Sequence, residues 1–100
     1  MDNETIAILG GTGDLGTGLA IRWSKAGYKI VIGSRTLPKA QAAVAELEKI
    51  SPTTPAAAME NTDAATAGDI VVLTVPAEHQ LSTLETVKSG LRGKILIDVT

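Results

Sequence analysis

The chain has 100 residues, 44% of them apolar, and a net charge of −2. That length allows one small domain with a core of its own, and the apolar fraction excludes a disordered tail. The charge gives no electrostatic reason to expect nucleic acid or an anionic membrane, and two aromatic residues, Trp23 and Tyr28, offer no platform for stacked bases.

Cysteine is absent, so disulfides, thiolate nucleophiles and thiolate metal sites are excluded. A cysteine-free chain agrees with a reducing cytoplasm. No basic-then-apolar stretch resembles a signal peptide, and no apolar run approaches the ~20 residues that span a bilayer. The expected partners are therefore small molecules, with no nucleic acid and no membrane.

Strand-like runs alternate with helix-like segments. Thr5–Leu9 is continuously apolar and predicts a strand buried on both faces. Leu15, Leu19, Trp23 and Ala26 then recur at helical spacing, and Gly27 stops that helix. A second strand is expected at about Lys29–Gly33. A second helix should run from about Pro38 to Ile50 with Thr36 as its N-cap. Its inner stripe would be Ala40, Ala43, Val44, Leu47 and Ile50, and its outer face Gln41, Glu46, Glu48 and Lys49.

Ser51-Pro52-Thr53-Thr54-Pro55 reads as a loop. A weak third strand follows at Ala56–Met59, then a short helix around Asp63–Ala67 capped by Thr62. The clearest strand is Ile70–Val75, stopped by Pro76. A further helix at about Glu78–Leu91 and a last strand at Lys94–Val99 complete the pattern, separated by Gly93. Alternation of this kind predicts an α/β fold: a Rossmann-type parallel sheet of about five strands in the order 3-2-1-4-5, with helices on both faces.

The first candidate site lies between the first strand and the first helix, at Gly10-Gly11-Thr12-Gly13-Asp14-Leu15-Gly16. Gly11, Gly13 and Gly16 satisfy G-x-G-x-x-G. The first permits a tight turn, the second lets the backbone approach a pyrophosphate, and the third lets the helix lie close on the sheet. The unpaired N–H groups of the helix start and the positive end of its dipole hold the anion. Thr12 adds a hydroxyl donor, and Asp14 is read as a helix cap directed away from the phosphates.

The second candidate lies about twenty residues on, where an NAD-binding chain places an acid. Here stand Gly33, Ser34 and Arg35, and no Asp or Glu occurs between Asp14 and Glu46. Ser34 and Arg35 suit a 2′-phosphate, the Arg can also stack on adenine, and Lys39 adds a charge one helical turn on. One charge-assisted hydrogen bond is worth ~1.5–3 kcal/mol, so NADPH would be preferred over NADH by tens to hundreds of fold.

Across the crevice, Val75, Pro76, Ala77 and His79 follow the fourth strand, at the topological switch point where ligands bind in such sheets. They are expected to flank the nicotinamide ribose. His79, the only histidine, is read as lying near the cofactor without acting in the chemistry, because hydride transfer between two cofactors needs no protein acid or base. Asp98 at the end of the last strand is read as structural. No catalytic residue, no metal ligand set and no P-loop is identified.

The run of Leu9-Gly10-Gly11-Thr12-Gly13, Leu15-Gly16, Gly33-Ser34-Arg35 and Lys39 resembles the NADPH-dependent reductases of coenzyme F420. So do Asp63-Ala64-Ala65, Asp69-Ile70, Val72-Leu73-Thr74, Pro76 and Glu78-His79. The resemblance covers nearly the whole chain in order and spacing. It implies a Rossmann domain that binds NADP(H) and passes hydride to or from coenzyme F420, with Thr12 and Leu15 at the phosphate loop. It also implies Ser34, Arg35 and Lys39 at the 2′-phosphate, and Pro76 and His79 near the nicotinamide. Family members often carry Asn in place of Asp14 and an aromatic residue in place of Ala77.

Members of that family continue beyond the position of Thr100, into a part that closes the F420 pocket and builds a dimer. Residues 1–100 are thus expected to be the NADP-binding domain of a longer protein, the second domain of the family being absent. The open edge of the last strand would be covered by that part or by a second copy in a homodimer. Two alternatives stay open. They are an NADP-binding module without catalysis of its own, and the nucleotide domain of a ferric, imine or keto-acid reductase, which share its layout.

Overall fold

The computed structural model describes residues 4–10, 14–52, 56–74, 82–85, 87–88 and 93–98, without the side chains of residues 14, 15, 95 and 98. The elements in chain order are β1 (Thr5–Leu9), α1 (Asp14–Lys25), β2 (Lys29–Ser34), α2 (Leu37–Ile50), β3 (Ala56–Glu60), α3 (Asn61–Ala67), β4 (Ile70–Leu73) and β5 (Ile95–Asp98). Residues 82–85 are also helical. All the strand pairs are parallel and the sheet order is β3-β2-β1-β4-β5, as the alternation predicts.

The register divides the apolar residues between two faces. Ile6, Ile8, Ile30, Ile32 and Val72 meet Ala20 of α1 and Leu47 of α2 on one side. Ala7, Leu9, Val31, Val71 and Leu73 meet Ala64 and Ala65 of α3, together with Val87, on the other. Helices thus cover both faces, which is why the inner strands are apolar without alternation. Ile8, Leu9, Ile32, Val71, Val72 and Leu73 are all sealed from solvent.

Several element ends differ from the sequence expectation. Thr36 occupies the N-cap position of α2 in extended backbone, but its side chain makes no capping bond. Thr62 does not cap α3: the helix starts at Asn61, directly out of β3, with Glu60 at the capping position. Ile50, the last residue of α2, leaves the apolar stripe and is exposed. Ala26 is likewise exposed, in the turn made by Gly27 at φ 102°. β4 ends at Leu73. Val75, Val99 and most of the expected helix at 78–91 lie outside the described residues.

The edge opposite the candidate site is tied by Asp69. Its carboxylate accepts from Thr5 N at 2.9 Å and its N–H donates to Thr5 O at 2.8 Å. Lys94, just before β5, donates from Nζ to the carbonyls of Ala65 and Thr66. It closes the carbonyl end of α3, where a cation is favoured by the helix dipole. Leu96 and Ile97 of the edge strand β5 stay exposed. Among the described residues no helix is long and apolar enough to cross a membrane.

α3 lies unusually close to the sheet, and Gly68 makes that approach possible. A Cβ there would stand 2.6 Å from the Ala7 Cβ and 3.1 Å from Ala7 N. Gly68→Ala is expected to lower stability by about 1–3 kcal/mol through overpacking, read as a reduced urea midpoint at unchanged m-value.

Candidate cofactor site

The C-terminal ends of β1, β2 and β4 form the platform on which the sequence-predicted residues stand. Gly10 leaves β1 with φ 75°, a left-handed conformation that a side chain would oppose. Its N–H donates to Gly33 O at 2.9 Å. On the other flank, Leu9 O accepts from both Thr74 N at 3.0 Å and Thr74 Oγ1 at 2.9 Å. The chain emerging from the first strand is thereby tied to the second and the fourth.

Leu9 is paired with Gly33 in the sheet register, so the turn at Gly10 and the residues Ser34 and Arg35 leave the sheet at one level. They are separated by about one strand spacing, ~4.8 Å. Ser34 is buried, whereas Arg35 and Lys39 are exposed. Among the described residues the only ion pair is the exposed Lys49–Glu46 contact on α2, so Arg35 and Lys39 have no carboxylate within 4.0 Å. Among the described residues no carboxylate pairs with either cation.

Gly16 is buried in the first turn of α1. Asp14 and Leu15 belong to α1 by backbone. Gly11, Thr12 and Gly13, and across the crevice Val75, Pro76, Ala77 and His79, lie outside the described residues.

Gly33 carries a constraint that composition does not show. A Cβ at this position would lie 2.8 Å from Asn61 Oδ1, 2.9 Å from Ala64 Cβ and 3.0 Å from Leu9 Cδ2. This is where an NAD-type chain carries its ribose-binding acid. Here α3 is packed so tightly against the end of β2 that no side chain fits. The close approach of α3 therefore leaves no room for a side chain at Gly33, and the next side chains out of β2 are those of Ser34 and Arg35.

Asn61 is a site residue that the sequence reading missed. It is 5% exposed, and Oδ1 has no hydrogen-bond partner. A buried acceptor left without a donor costs about 1–3 kcal/mol. Asn61 lines a cleft of ≈ 230 Å³ together with Arg35, Glu60, Thr62, Ser82 and Thr83. A lone Asn after a weak strand carries no periodic mark of burial, which is why single-sequence reading passes over it. Among the described residues no group of three or more metal-ligating side chains occurs.

The donor set suits a dinucleotide with a 2′-phosphate. A left-handed glycine turn at a helix start meets the requirement of a pyrophosphate. A hydroxyl, a guanidinium and an ammonium, the two cations without an acidic partner among the described residues, meet that of a second phosphate.

Comparison with known proteins gives a consistent picture. Residues 5–100 match the family described as NADP oxidoreductase, coenzyme F420-dependent. The chain is 46% identical over 98 residues to the F420-dependent NADP reductase of Methanocaldococcus jannaschii, covering 94% of this chain and 44% of that protein. It is 43% identical over 97 residues to the F420-dependent NADP reductase of Methanothermobacter thermautotrophicus, covering 95% and 42%. A crystal structure from Arthrobacter sp., provisionally assigned as an F420-dependent NADP-reductase, superposes with a TM-score of 0.81 at 26% identity, covering 97% of this chain and 44% of that one. The chain thus spans less than half the length of the curated relatives it matches.

If the clash at Gly33 sets the packing, Gly33→Ala should lower stability by about 1–3 kcal/mol. Adding Asn61→Ala should return part of that loss, since the two changes share a contact and are non-additive. Denaturation of the two single variants and the double variant measures the coupling.

Proposed function

Because the chain belongs to the coenzyme F420-dependent NADP oxidoreductase family, we propose that it holds NADP(H) across the carboxyl ends of its strands. We propose further that it serves hydride exchange between NADP(H) and coenzyme F420. The observation that carries the reading is the pair Ser34–Arg35 at the end of β2. The pair sits level with the glycine turn of β1, and its guanidinium is unpaired by any carboxylate within the described residues.

In this reading Gly11, Thr12, Gly13, Asp14, Leu15 and Gly16 form the pyrophosphate loop at the start of α1. Ser34, Arg35 and Lys39 take the 2′-phosphate, the Arg by a planar fork and the Lys as a point charge. Val75, Pro76, Ala77 and His79, which follow β4 in sequence, flank the nicotinamide ribose. NADP(H) supplies or takes up the hydride, and F420 is the matching carrier. The protein contributes alignment of the two and exclusion of water. The anchoring of Leu9 and Gly10 to both neighbouring strands supports this role, because a rigid platform is what alignment needs.

Titration with NADPH and NADH tests the cofactor assignment. The native chain should favour NADPH by tens to hundreds of fold, and Arg35→Ala should weaken NADPH binding about tenfold or more while leaving NADH little changed. Equal affinities for the two cofactors would refute the 2′-phosphate assignment. Loss of the oxidised F420 absorbance on adding NADPH tests the transfer. Binding of NADPH with no such loss would restrict the chain to nucleotide binding.

A further inference from the structure

The peptide unit that joins Leu9 to Gly10 is held at both ends. Its carbonyl, Leu9 O, accepts from Thr74 N at 3.0 Å and from Thr74 Oγ1 at 2.9 Å. Its N–H, that of Gly10, donates to Gly33 O at 2.9 Å. A peptide unit is planar, so one rigid plane is fastened to the end of β4 on one side and to the end of β2 on the other. The sheet itself requires only the main-chain part of this. Leu9 is level with Leu73, the last residue of β4, and the Thr74 N–H supplies the bond that follows. The hydroxyl takes the second lone pair of the same oxygen. It is the one member of the clamp that a side chain provides, and so the one that a substitution can remove.

Resting on the NADP(H) reading above, we propose that Thr74 is a positioning residue for the bound dinucleotide. Its hydroxyl fixes the glycine turn relative to the residues that follow β4. In that reading the two sides hold different parts of one ligand: the turn after Gly10 holds the pyrophosphate, and Val75 and Pro76, next in sequence to Thr74, flank the nicotinamide ribose. Gly10 has φ 75°, and the chain takes its direction into the turn from the plane that Thr74 holds. Leu9 is sealed from solvent, so water does not compete for its carbonyl. Thr is β-branched and stiff at χ1, so the bond also fixes the side chain that makes it. Packing does not demand the hydroxyl. Val has nearly the same shape and would fill the same space, and what it would lack is the second bond to Leu9.

A ligand that spans both sides should sense the clamp, and a ligand confined to the turn and β2 should not. NADPH is the first kind. Adenosine 2′,5′-bisphosphate, which has both phosphates but no nicotinamide half, is the second. Calorimetric titration of each is made with the native chain, Thr74→Val, Thr74→Ala and Thr74→Ser. Thr74→Val and Thr74→Ala should weaken NADPH about two- to tenfold, the range of one neutral hydrogen bond, and leave the bisphosphate unchanged. Thr74→Ser keeps the hydroxyl and should restore the native ratio of the two affinities. Binding of the bisphosphate shows in the same samples that each variant is folded, and Thr74→Ala reports where the added methyl of Val is not tolerated.

A ratio of NADPH to bisphosphate affinity that stays native in both Thr74→Val and Thr74→Ala overturns the proposal, whatever happens to stability. So does a ratio that falls as far in Thr74→Ser. In both cases native binding of NADPH leaves the cofactor reading standing. If the native chain binds neither ligand, the cofactor reading falls and the role of Thr74 with it.

Discussion

The end of the first strand governs the rest of the structure. The carbonyl of Leu9 accepts two bonds from Thr74, and the N–H of Gly10 donates to the carbonyl of Gly33. At this point the chain leaves the sheet through a left-handed glycine, flanked by β2 on one side and β4 on the other. A crevice at a topological switch point is open to ligands because its two crossovers diverge. Three hydrogen bonds of 2.9–3.0 Å in a part-buried setting keep the floor of that crevice from spreading. Positions one residue further along β1, β2 and β4 then keep fixed relative placement, which is what a long dinucleotide demands of its binding groups.

Much of this architecture is legible in the sequence, because parallel strands covered on both faces must be apolar throughout. Thr5–Leu9 and Ile70–Leu73 stand out for that reason, and the alternation of strands with helices leaves few topologies to choose from. Element ends are less legible. Thr62 has the chemistry of a cap, yet α3 begins one residue earlier because β3 passes into the helix without a linker. Ile50 has the spacing of a core residue, but spacing says nothing about where the underlying sheet stops. The site divides in the same manner. Ser34, Arg35 and Lys39 are visible because a missing acid and added cations change the charge at a known offset. Asn61 is invisible because its importance comes from burial against Gly33, a contact between segments nearly thirty residues apart.

Small residues link the fold to the choice of cofactor. Ala7, Gly33, Ala64, Ala65 and Gly68 give α3 its close seat on the sheet, and any added methyl at Gly33 or Gly68 meets atoms within 3 Å. That tight seat contributes to stability. In this chain it also empties the position from which an acid would reach a ribose diol. A Gly33→Asp exchange is therefore not accommodated in this packing. α3 would have to move off the sheet, opening a gap beneath Ala64 and Ala65 whose cost grows with the volume left behind. On the proposed NADP(H) reading, the preference for a phosphate over a hydroxyl pair would be written twice, once in the donors that Ser34 and Arg35 supply and once in the packing that leaves no room for a carboxylate at Gly33.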